Sequence, residues 1–496
     1  TQIAHDPDNP HSLSDNGAQG FYTDHTGTLW VGAGNGLNRF DSNTKQFTSL
    51  VHDPKNSNSL CDNNVDVINE DYLGMLWLGT NKGLDKFDPT QKRFTHYVHD
   101  PNNPHSLSSD LIVVIYEDRD HVLWIGTFGG GLNKFDREQN RFTRFVYDAE
   151  NQNSINGNYV WAVCEDSLAR NILWIAADGL NRFDRDTERF TRFVNDPKNP
   201  RSLSHDYVGP LWVDRRGTLW VGTLGGGLNR FDNETEQFSH FTTKDGLPDN
   251  QVCGIIEDDH GRLWLSTGNG LSRFDPKTKT FRNYDVADGL ASNSFVMPSQ
   301  HESADDEMFW GSDNSGFTRF HPDSIKDNPY IPPVVITAFK RYNTDDAKGI
   351  AIEEKGISAK KEISVSYKDN VLSFEFAALS YRNTFKNQYA YKLEGFSDNW
   401  IQLGAKREIT FTNLDPGEYT LRVKGSNNDG VWNEAGTSLK ITVTPPWWQT
   451  RWAYACFLVL FGAALYGWRR YDLNRIHLKN QLKLEHVEAE KMKELD

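Results

Sequence analysis

The chain has 496 residues, a formal net charge of −15, 39 glycines and 15 tryptophans. This length exceeds what one hydrophobic core organises, so we expect several domains. The acidic balance argues against nucleic acid as a partner of this chain, because a phosphate backbone requires a basic surface. The four cysteines show no disulfide framework and no Cys-x2-Cys spacing. We therefore expect no metal site, and we expect no cofactor within these residues.

One sequence unit recurs along the first two thirds of the chain. It contains an Asp-x-x-Gly turn, then Leu-Trp-x-Gly, then Gly-Leu-Asn-Arg-Phe-Asp. A repeat of this kind is one supersecondary unit, and each copy shows four short strand patterns without a helical period. Its tryptophan occurs seven times, 44 to 50 residues apart, at Trp30, Trp77, Trp124, Trp174, Trp220, Trp264 and Trp310. The sequence therefore predicts a seven-bladed β-propeller over residues 1–325.

The two ends of the repeat array match each other. The last copy lacks an outer-strand pattern after His321, whereas residues 1–7 resemble the outer-strand ends at 48–54 and 95–101. We expect residues 1–7 to complete the last blade, so that the ring has no unpaired edge. Because the chain begins inside a repeat, we also expect it to be a fragment of a longer protein.

Residues 326–446 are predicted to form a second β domain. Patterns of alternating apolar and polar residues occur at 371–376, 389–393, 419–424 and 439–443, with turn signals between them. About 110 residues of short strands are typical of an immunoglobulin-like sandwich. The fold class predicted for the chain is thus all-β up to residue 446.

A helical region is predicted to follow the sandwich. Residues 452–468 carry no charge and have aromatic residues at both ends, which predicts a transmembrane helix within 447–470, with a buried core helix as the alternative. Arg469, Arg470 and Arg475 follow it, and this bias places the C-terminus in the cytoplasm. Residues 471–496 predict the start of a cytoplasmic coiled-coil or dimerisation helix.

Several motifs resemble a known family. They are the repeat described above, the segment Tyr-Ala-Tyr-Lys-Leu-Glu-Gly-Phe at 389–396, Leu-Asp-Pro-Gly-Glu-Tyr-Thr at 414–420, and Ser-Asn-Asn-Asp-Gly-Val-Trp-Asn at 426–433. With the order of the domains, they resemble bacterial two-component sensor histidine kinases, often hybrid, that carry regulator-propeller repeats and a triple-tyrosine (Y_Y_Y) domain. The resemblance covers almost the whole chain.

This resemblance implies a function. The chain is expected to be the periplasmic sensor region of an inner-membrane protein, followed after residue 496 by a histidine kinase that uses ATP and Mg²⁺. The expected partners are a small-molecule or oligosaccharide ligand, the membrane and a second copy of the chain. A carbohydrate-derived cue is what the resemblance implies for the ligand.

Candidate ligand-binding residues are those that add aromatic surface where the other repeats carry smaller groups. They are Phe128, Tyr159, Trp161 and Trp212, and the mouth of the propeller axis is the expected site. Stacking on a sugar is one interpretation, and packing between blades is the other. The Asp-x-x-Gly turns resemble calcium loops, but each offers too few oxygen ligands, so we expect turn caps instead.

Two classes of function remain as hypotheses. The first is a sensor region, with a histidine kinase as output and a diguanylate cyclase or a transcription factor as alternatives. The second is a membrane-tethered propeller lyase or glycosidase. A glycosidase requires two carboxylates about 5 to 10 Å apart, and no repeat-breaking pair of this kind stands out. We therefore favour the sensor and expect no catalytic residue in this chain.

Overall fold

The structure is a computed structural model that describes residues 1–297, 299–312, 314–343, 352–353 and 356–493. The chain divides into two compact units, Thr1–Lys326 and Asp327–Asp496. In the described part, the first unit is built from strands, and the second contains strands followed by a long α-helix.

The strands of the first unit are short, mostly four to six residues long. In chain order they are β1 (Gln2–Ile3), β2 (Ala18–Thr23), β3 (Leu29–Ala33), β4 (Gly36–Asp41), β5 (Gln46–Leu50), β6 (Val65–Glu70), β7 (Leu76–Thr80), β8 (Gly83–Asp88), β9 (Arg93–Tyr97), β10 (Ile112–Glu117), β11 (Leu123–Thr127), β12 (Gly131–Asp136), β13 (Arg141–Phe145), β14 (Ala162–Glu165), β15 (Ile172–Ala176), β16 (Leu180–Asp184), β17 (Arg189–Phe193), β18 (Val208–Val213), β19 (Leu219–Thr223), β20 (Gly227–Asp232), β21 (Gln237–Phe241), β22 (Val252–Glu257), β23 (Leu263–Thr267), β24 (Gly270–Asp275), β25 (Thr280–Tyr284), β26 (Gln300–Glu302), β27 (Met308–Gly311) and β28 (Phe317–Phe320).

These strands form seven antiparallel sheets of four strands each in the described residues. Six sheets use consecutive strands, from β2–β5 to β22–β25, and the last combines β26, β27 and β28 with β1. The first strand of every sheet from β2 to β22 contacts the first strand of the next sheet, and β26 contacts both β22 and β2. The circle of contacts is closed, as in a propeller. The prediction of an all-β unit made of propeller-like sheets is confirmed.

An aspartate carboxylate stabilises the turn between the first two strands of most blades by accepting hydrogen bonds. In the second blade, Asp71 accepts hydrogen bonds from the backbone N–H groups of Leu73 and Met75 and from Nε1 of the buried Trp77. Each turn is therefore tied to the core of its own blade. The indole-to-carboxylate bond is 2.8–2.9 Å long in six blades, joining Trp30 to Asp24, Trp77 to Asp71, Trp124 to Asp118, Trp174 to Asp166, Trp220 to Asp214, and Trp264 to Asp258.

Buried ion pairs join some neighbouring blades. Arg137 donates from Nη1 to Asp71 at 2.7 Å and from Nη2 to Glu117 at 2.8 Å. Burial disfavours the charge of Asp71, but hydrogen bonds from Trp77, Met75 and Arg137 outweigh it and hold the pKa of Asp71 below its usual value. Because the two carboxylates belong to the second and third blades, Arg137 links those blades.

The N-terminal residues pair with the last blade. Gln2 lies opposite Thr318, and Ile3 lies opposite Phe317 in an antiparallel ladder. The terminal amino group of Thr1 donates to the carbonyl of Arg319, and the Arg319 amide donates to the carbonyl of Thr1, both at 2.8 Å. Strand β1 is therefore the outermost strand of the last blade, and the two ends of the first unit are held together by main-chain hydrogen bonds.

The second unit contains nine strands in its described residues. They are β29 (Val334–Asn343), β30 (Ile352–Glu353), β31 (Glu362–Ser366), β32 (Asp369–Ala378), β33 (Tyr389–Glu394), β34 (Ser397–Gly404), β35 (Glu408–Thr412), β36 (Gly417–Ser426) and β37 (Trp432–Thr444). One sheet has the order β30-β29-β32-β35 and the other β31-β37-β36-β33-β34. Side chains from both sheets, among them Phe339, Phe374, Tyr389, Leu421 and Ile441, form one buried core. This arrangement is a β-sandwich.

Helix α1 (Arg451–Lys493) follows the sandwich after a short 3-10 turn, Trp447–Gln449. The prediction of a transmembrane helix over 447–470 is not supported: in the described residues, no helix has a long enough apolar stretch to cross a membrane. The physical reason is that the uncharged run 452–468 is bounded by Arg451 and Arg469 and includes two glycines. Helix α1 is continuous from Arg451 through the segment predicted to follow residue 470 and ends at Lys493, and residues 494–496 lie outside the described part.

Candidate ligand-binding site

An irregularity of the innermost strands determines which side chains face a cavity in the first unit. The pairing of β2, β6, β10 and β22 with the next strand skips one residue in each case, and the skipped residues are Gln19, Asp66, Val113 and Cys253. A skipped residue of this kind is a β-bulge, which bends the strand and turns its side chain away from the alternating pattern. The bulge therefore provides one distinctive side chain for each of these blades.

Bulge residues from several blades meet at a single cavity of about 280 Å³. Gln19, Asp66 and Val113 of the first three blades line it. Trp161, just before β14, and Met297, just before β26, line it as well. Since these residues come from five of the seven blades, the cavity lies where the innermost strands converge, at the axis of the ring.

Aromatic side chains lie at one side of this site: Phe128 and Trp161 line the cavity, and Tyr159 and Tyr207 contact them. The ring of Phe128 lies 4.6 Å from that of Tyr159 and 5.8 Å from that of Trp161, in edge-to-face geometry. Trp161 in turn lies 5.6 Å from Tyr207. Phe128, Tyr159 and Tyr207 remain exposed. We call these four residues the aromatic wall, and it offers ring faces and edges to a bound molecule.

The structure brings together three of the four residues predicted for ligand binding. Phe128, Tyr159 and Trp161 belong to the aromatic wall. Trp212 does not belong to it. Trp212 lies near the end of its innermost strand, β18, where it pairs with Trp220, whereas Trp161 lies just before the start of its innermost strand, β14. Trp212 packs against the core around Trp220, so the structure favours blade packing as its role.

Polar groups in the cavity are few and distinct. Asp66 contributes a carboxylate, and Gln19 and Asn81 contribute amides. Asn64 donates a hydrogen bond from Nδ2 to Asp66 at 2.9 Å. Burial is the main cause that raises the pKa of Asp66 to about 6. The site can accept hydrogen bonds at Asp66 and both donate and accept them at the two amides.

Sequence reasoning missed Tyr207, Asp66, Gln19, Asn81 and Met297. Sequence does carry a signal for the bulge residues: each follows the first apolar residue of its innermost strand, and the residue type differs between blades, as in Gln19, Asp66 and Val113. When the residue type at one position differs between otherwise regular repeats, that position is not needed for the core that all blades share.

Comparisons with known proteins agree with this architecture. Residues 380–444 match the Y_Y_Y domain, and residues 106–129 and 246–269 match the two component regulator propeller. The chain therefore carries a Y_Y_Y domain and regulator-propeller repeats.

Two relatives extend the comparison. Histidine kinase P4 of Formosa agariphila is 31% identical over 254 residues, which are 51% of this chain and 18% of that protein. The extracellular domain of a proposed hybrid two component system from B. thetaiotaomicron has a TM-score of 0.74 and 27% identity, covering 88% of this chain and 56% of that one. The chain thus spans less than a fifth of the curated relative and about half of the solved domain.

Proposed function

We propose that this chain is the extracytoplasmic ligand-sensing and signal-transmitting region of a two-component sensor that controls a histidine kinase. The observation that carries the proposal is the similarity to one extracellular domain of a two component system over 88% of the chain. The similarity to a histidine kinase favours that output over a diguanylate cyclase or a transcription factor. ATP and Mg²⁺ would be needed by the kinase part and not by the residues described above.

A carbohydrate-derived ligand is proposed for the axial cavity. Binding sites for small molecules combine apolar walls with a few polar groups that orient the ligand. The aromatic wall offers ring surface to the apolar faces of a sugar, while Asp66, Gln19 and Asn81 offer partners for hydroxyl groups. Asp66 is the one carboxylate among the described residues that line the cavity, which does not favour a glycosidase with its two carboxylates.

Helix α1 is proposed to carry the signal to the output domain. It begins seven residues after the end of β37, and Trp448 in the connection lies 5.7 Å from Tyr367 of the sandwich. Its apolar side chains between residues 452 and 468 are largely exposed, and contacts with a membrane and with a second copy of the helix are the partners we propose for them. A ligand transmits a signal if it binds two states of such a dimer with different affinity.

A thermal-shift experiment on the 496-residue chain tests the ligand. At a concentration of 100 times its dissociation constant, a bound oligosaccharide should stabilise the protein by about 2.7 kcal/mol. Tyr159→Ala removes an exposed ring of the aromatic wall and should weaken binding about tenfold, the equivalent of about 1.4 kcal/mol. Tyr72→Ala removes another exposed tyrosine, in the turn at the opposite end of an innermost strand, and should leave binding unchanged.

The possible results separate the ligand from the sensing role. If no oligosaccharide shifts the unfolding temperature, the carbohydrate proposal is wrong. If oligosaccharides bind equally well to the Tyr159→Ala and Tyr72→Ala variants, the axial cavity is not their site. Protease accessibility of the chain in intact cells whose outer membrane is permeabilised tests the proposed location, because an extracytoplasmic region is cleaved there and a cytoplasmic one is protected.

A further inference from the structure

The second blade departs from the other blades at positions that the fold brings together. In the first, third, fourth and fifth blades, a Ser or Asn before the innermost strand donates its backbone N–H to the side-chain oxygen of an Asn in the third strand, at 2.9–3.0 Å. In the second blade, the same hydrogen bond joins Cys61 to Asp85 at 2.8 Å. A thiol and a carboxylate therefore replace a small polar side chain and an amide.

A histidine completes the group. His96 on β9 places Nδ1 2.6 Å from a carboxylate oxygen of Asp85. The thiol of Cys61, the carboxylate of Asp85 and the imidazole of His96 all have their ligand atoms within 4.8 Å of one another. Asp85 is fully buried, whereas about 30% of the His96 side chain is exposed, so the group is open to solvent on one side.

We propose that Cys61, Asp85 and His96 bind a zinc ion. Thiolate sulfur, imidazole nitrogen and carboxylate oxygen are the ligands that Zn²⁺ prefers, with metal–ligand bonds of about 2.0 to 2.3 Å. In a tetrahedron of such bonds the ligand atoms are about 3.3 to 3.8 Å apart, so only small rotations of these side chains are needed. Three protein ligands leave a fourth position, which faces the open side and would hold water.

The surroundings of the group resemble those of zinc ligands. A histidine that binds zinc usually donates from its other ring nitrogen to a carbonyl or carboxylate. His96 has this arrangement, since its Nε2 lies 3.0 Å from the carbonyl oxygen of Ser57. Asp85 also accepts the Cys61 amide hydrogen bond, which fixes the orientation of its carboxylate. On binding, the metal would replace the thiol proton of Cys61 and the proton between His96 and Asp85.

The same contacts argue against the other chemistry that a cysteine and a histidine can perform. A nucleophilic thiol needs an imidazole nitrogen that takes its proton. In His96, Nδ1 is engaged by Asp85 and Nε2 by the carbonyl of Ser57. Neither nitrogen is available to the thiol, so a binding site fits these residues better than a catalytic one.

Cobalt(II) titration of the reduced 496-residue chain tests this proposal. A cysteine ligand gives a thiolate-to-cobalt charge-transfer band, and tetrahedral coordination gives strong visible bands. We expect both, with one Co²⁺ bound per chain and competed by Zn²⁺. Cys61→Ser should abolish the charge-transfer band, and Asp85→Asn should weaken binding at least tenfold. Absence of the charge-transfer band in the unmodified chain would overturn the proposal.

The chain offers matched controls. Cys61→Ser and Asp85→Asn install the residues that the first, third and fifth blades carry naturally, so the fold should tolerate them. Cys164→Ser changes another thiol, on β14, and should leave the charge-transfer band intact. If Cys61→Ser retains the band, or Cys164→Ser loses it, the assignment to the second blade is wrong.

A transfer of the site to the fifth blade provides an independent test. That blade already has His240, whose Nε2 lies 2.8 Å from the carbonyl of Ser202, and it has Ser204 and Asn229 in the other two positions. The double variant Ser204→Cys with Asn229→Asp should bind a second Co²⁺ ion. If the unmodified chain binds one ion and the double variant also binds only one, the three residue types at these positions do not suffice for a site.

Discussion

Closure of the ring by strand β1 can be tested at a glycine. Gly316 and Gly27 both have a positive φ, 71° and 79°, so a Cβ atom introduces backbone strain of about 1 kcal/mol at either position. The two positions differ in their surroundings. A Cβ atom at Gly27 would meet no atom within 4 Å, whereas at Gly316 it would overlap the carbonyl oxygen of Ile3. Only Gly316→Ala should therefore displace β1.

The cost of displacing β1 follows from its contacts. The hydrogen bonds that hold the strand include the two between Thr1 and Arg319 and one from the Gln2 side chain to the carbonyl of Leu290, at 2.8 Å each. At about 1 kcal/mol each, they contribute about 3 kcal/mol. Half-buried Ile3 adds about 1 kcal/mol of apolar burial. We expect Gly316→Ala to lower the free energy of unfolding of the first unit by about 4 kcal/mol more than Gly27→Ala.

Urea unfolding followed by tryptophan fluorescence measures this difference. Hydrogen exchange gives a local measurement, because residues 1–4 and 317–320 should lose protection in Gly316→Ala and keep it in Gly27→Ala. If the two variants have the same unfolding midpoint and the same protection, β1 does not stabilise the ring, and the reasoning from the main-chain hydrogen bonds is refuted.

Two further predictions concern buried ionisable groups of the first unit. Burial lowers the pKa of His301 from 6.5 to about 4, and its Nε2 accepts the Thr23 amide hydrogen bond. The neutral His301 ring therefore contributes about 3 kcal/mol to the free energy of unfolding above pH 6.5, and this contribution is lost as the pH falls towards 4. The free energy of unfolding should therefore depend less on pH in the His301→Gln variant than in the unmodified chain. Equal slopes of the two pH series would contradict this. Arg137→Ala leaves two largely buried carboxylates without their cation and should cost about 3 kcal/mol or more, whereas Arg215→Ala, which breaks an exposed pair, should cost less than about 1 kcal/mol. Urea midpoints compare the two arginine variants, and similar losses would refute a role for Arg137 in joining the blades.

Comparison of the predicted and observed sites shows where sequence reasoning succeeds. Phe128, Tyr159 and Trp161 were selected because they break the repeat, and the structure places the ring of Phe128 against both of the others. Trp212 breaks the repeat as well, yet it lies elsewhere along its strand. A residue that departs from the repeat can be found from the sequence. Whether it lies at the cavity end or the opposite end of its strand depends on the strand register, which the sequence pattern does not give.

The helical region shows the opposite outcome. An uncharged run with aromatic ends predicted a transmembrane helix that continues beyond residue 470. The described residues do form one continuous helix, but it has no stretch that is long and apolar enough to cross a membrane. Absence of Gly and Pro beyond residue 470 was sufficient to predict the helical continuation. The run of 17 uncharged residues was too short, and too rich in glycine and tyrosine, to decide its environment.

The sequence by itself determined the number of blades, the four strands of each and the turns between them, because these elements depend on hydrogen bonds and apolar patterns within about fifty residues. Only the tertiary structure decided which side chains share the axial cavity, since bulges turn single residues out of the alternating pattern and the closed ring brings distant blades together. The tertiary structure also decided the group of Cys61, Asp85 and His96, but for a different reason. Their separation along the chain gives no ligand spacing, and they meet because neighbouring strands and the preceding loop of one blade converge on a single point.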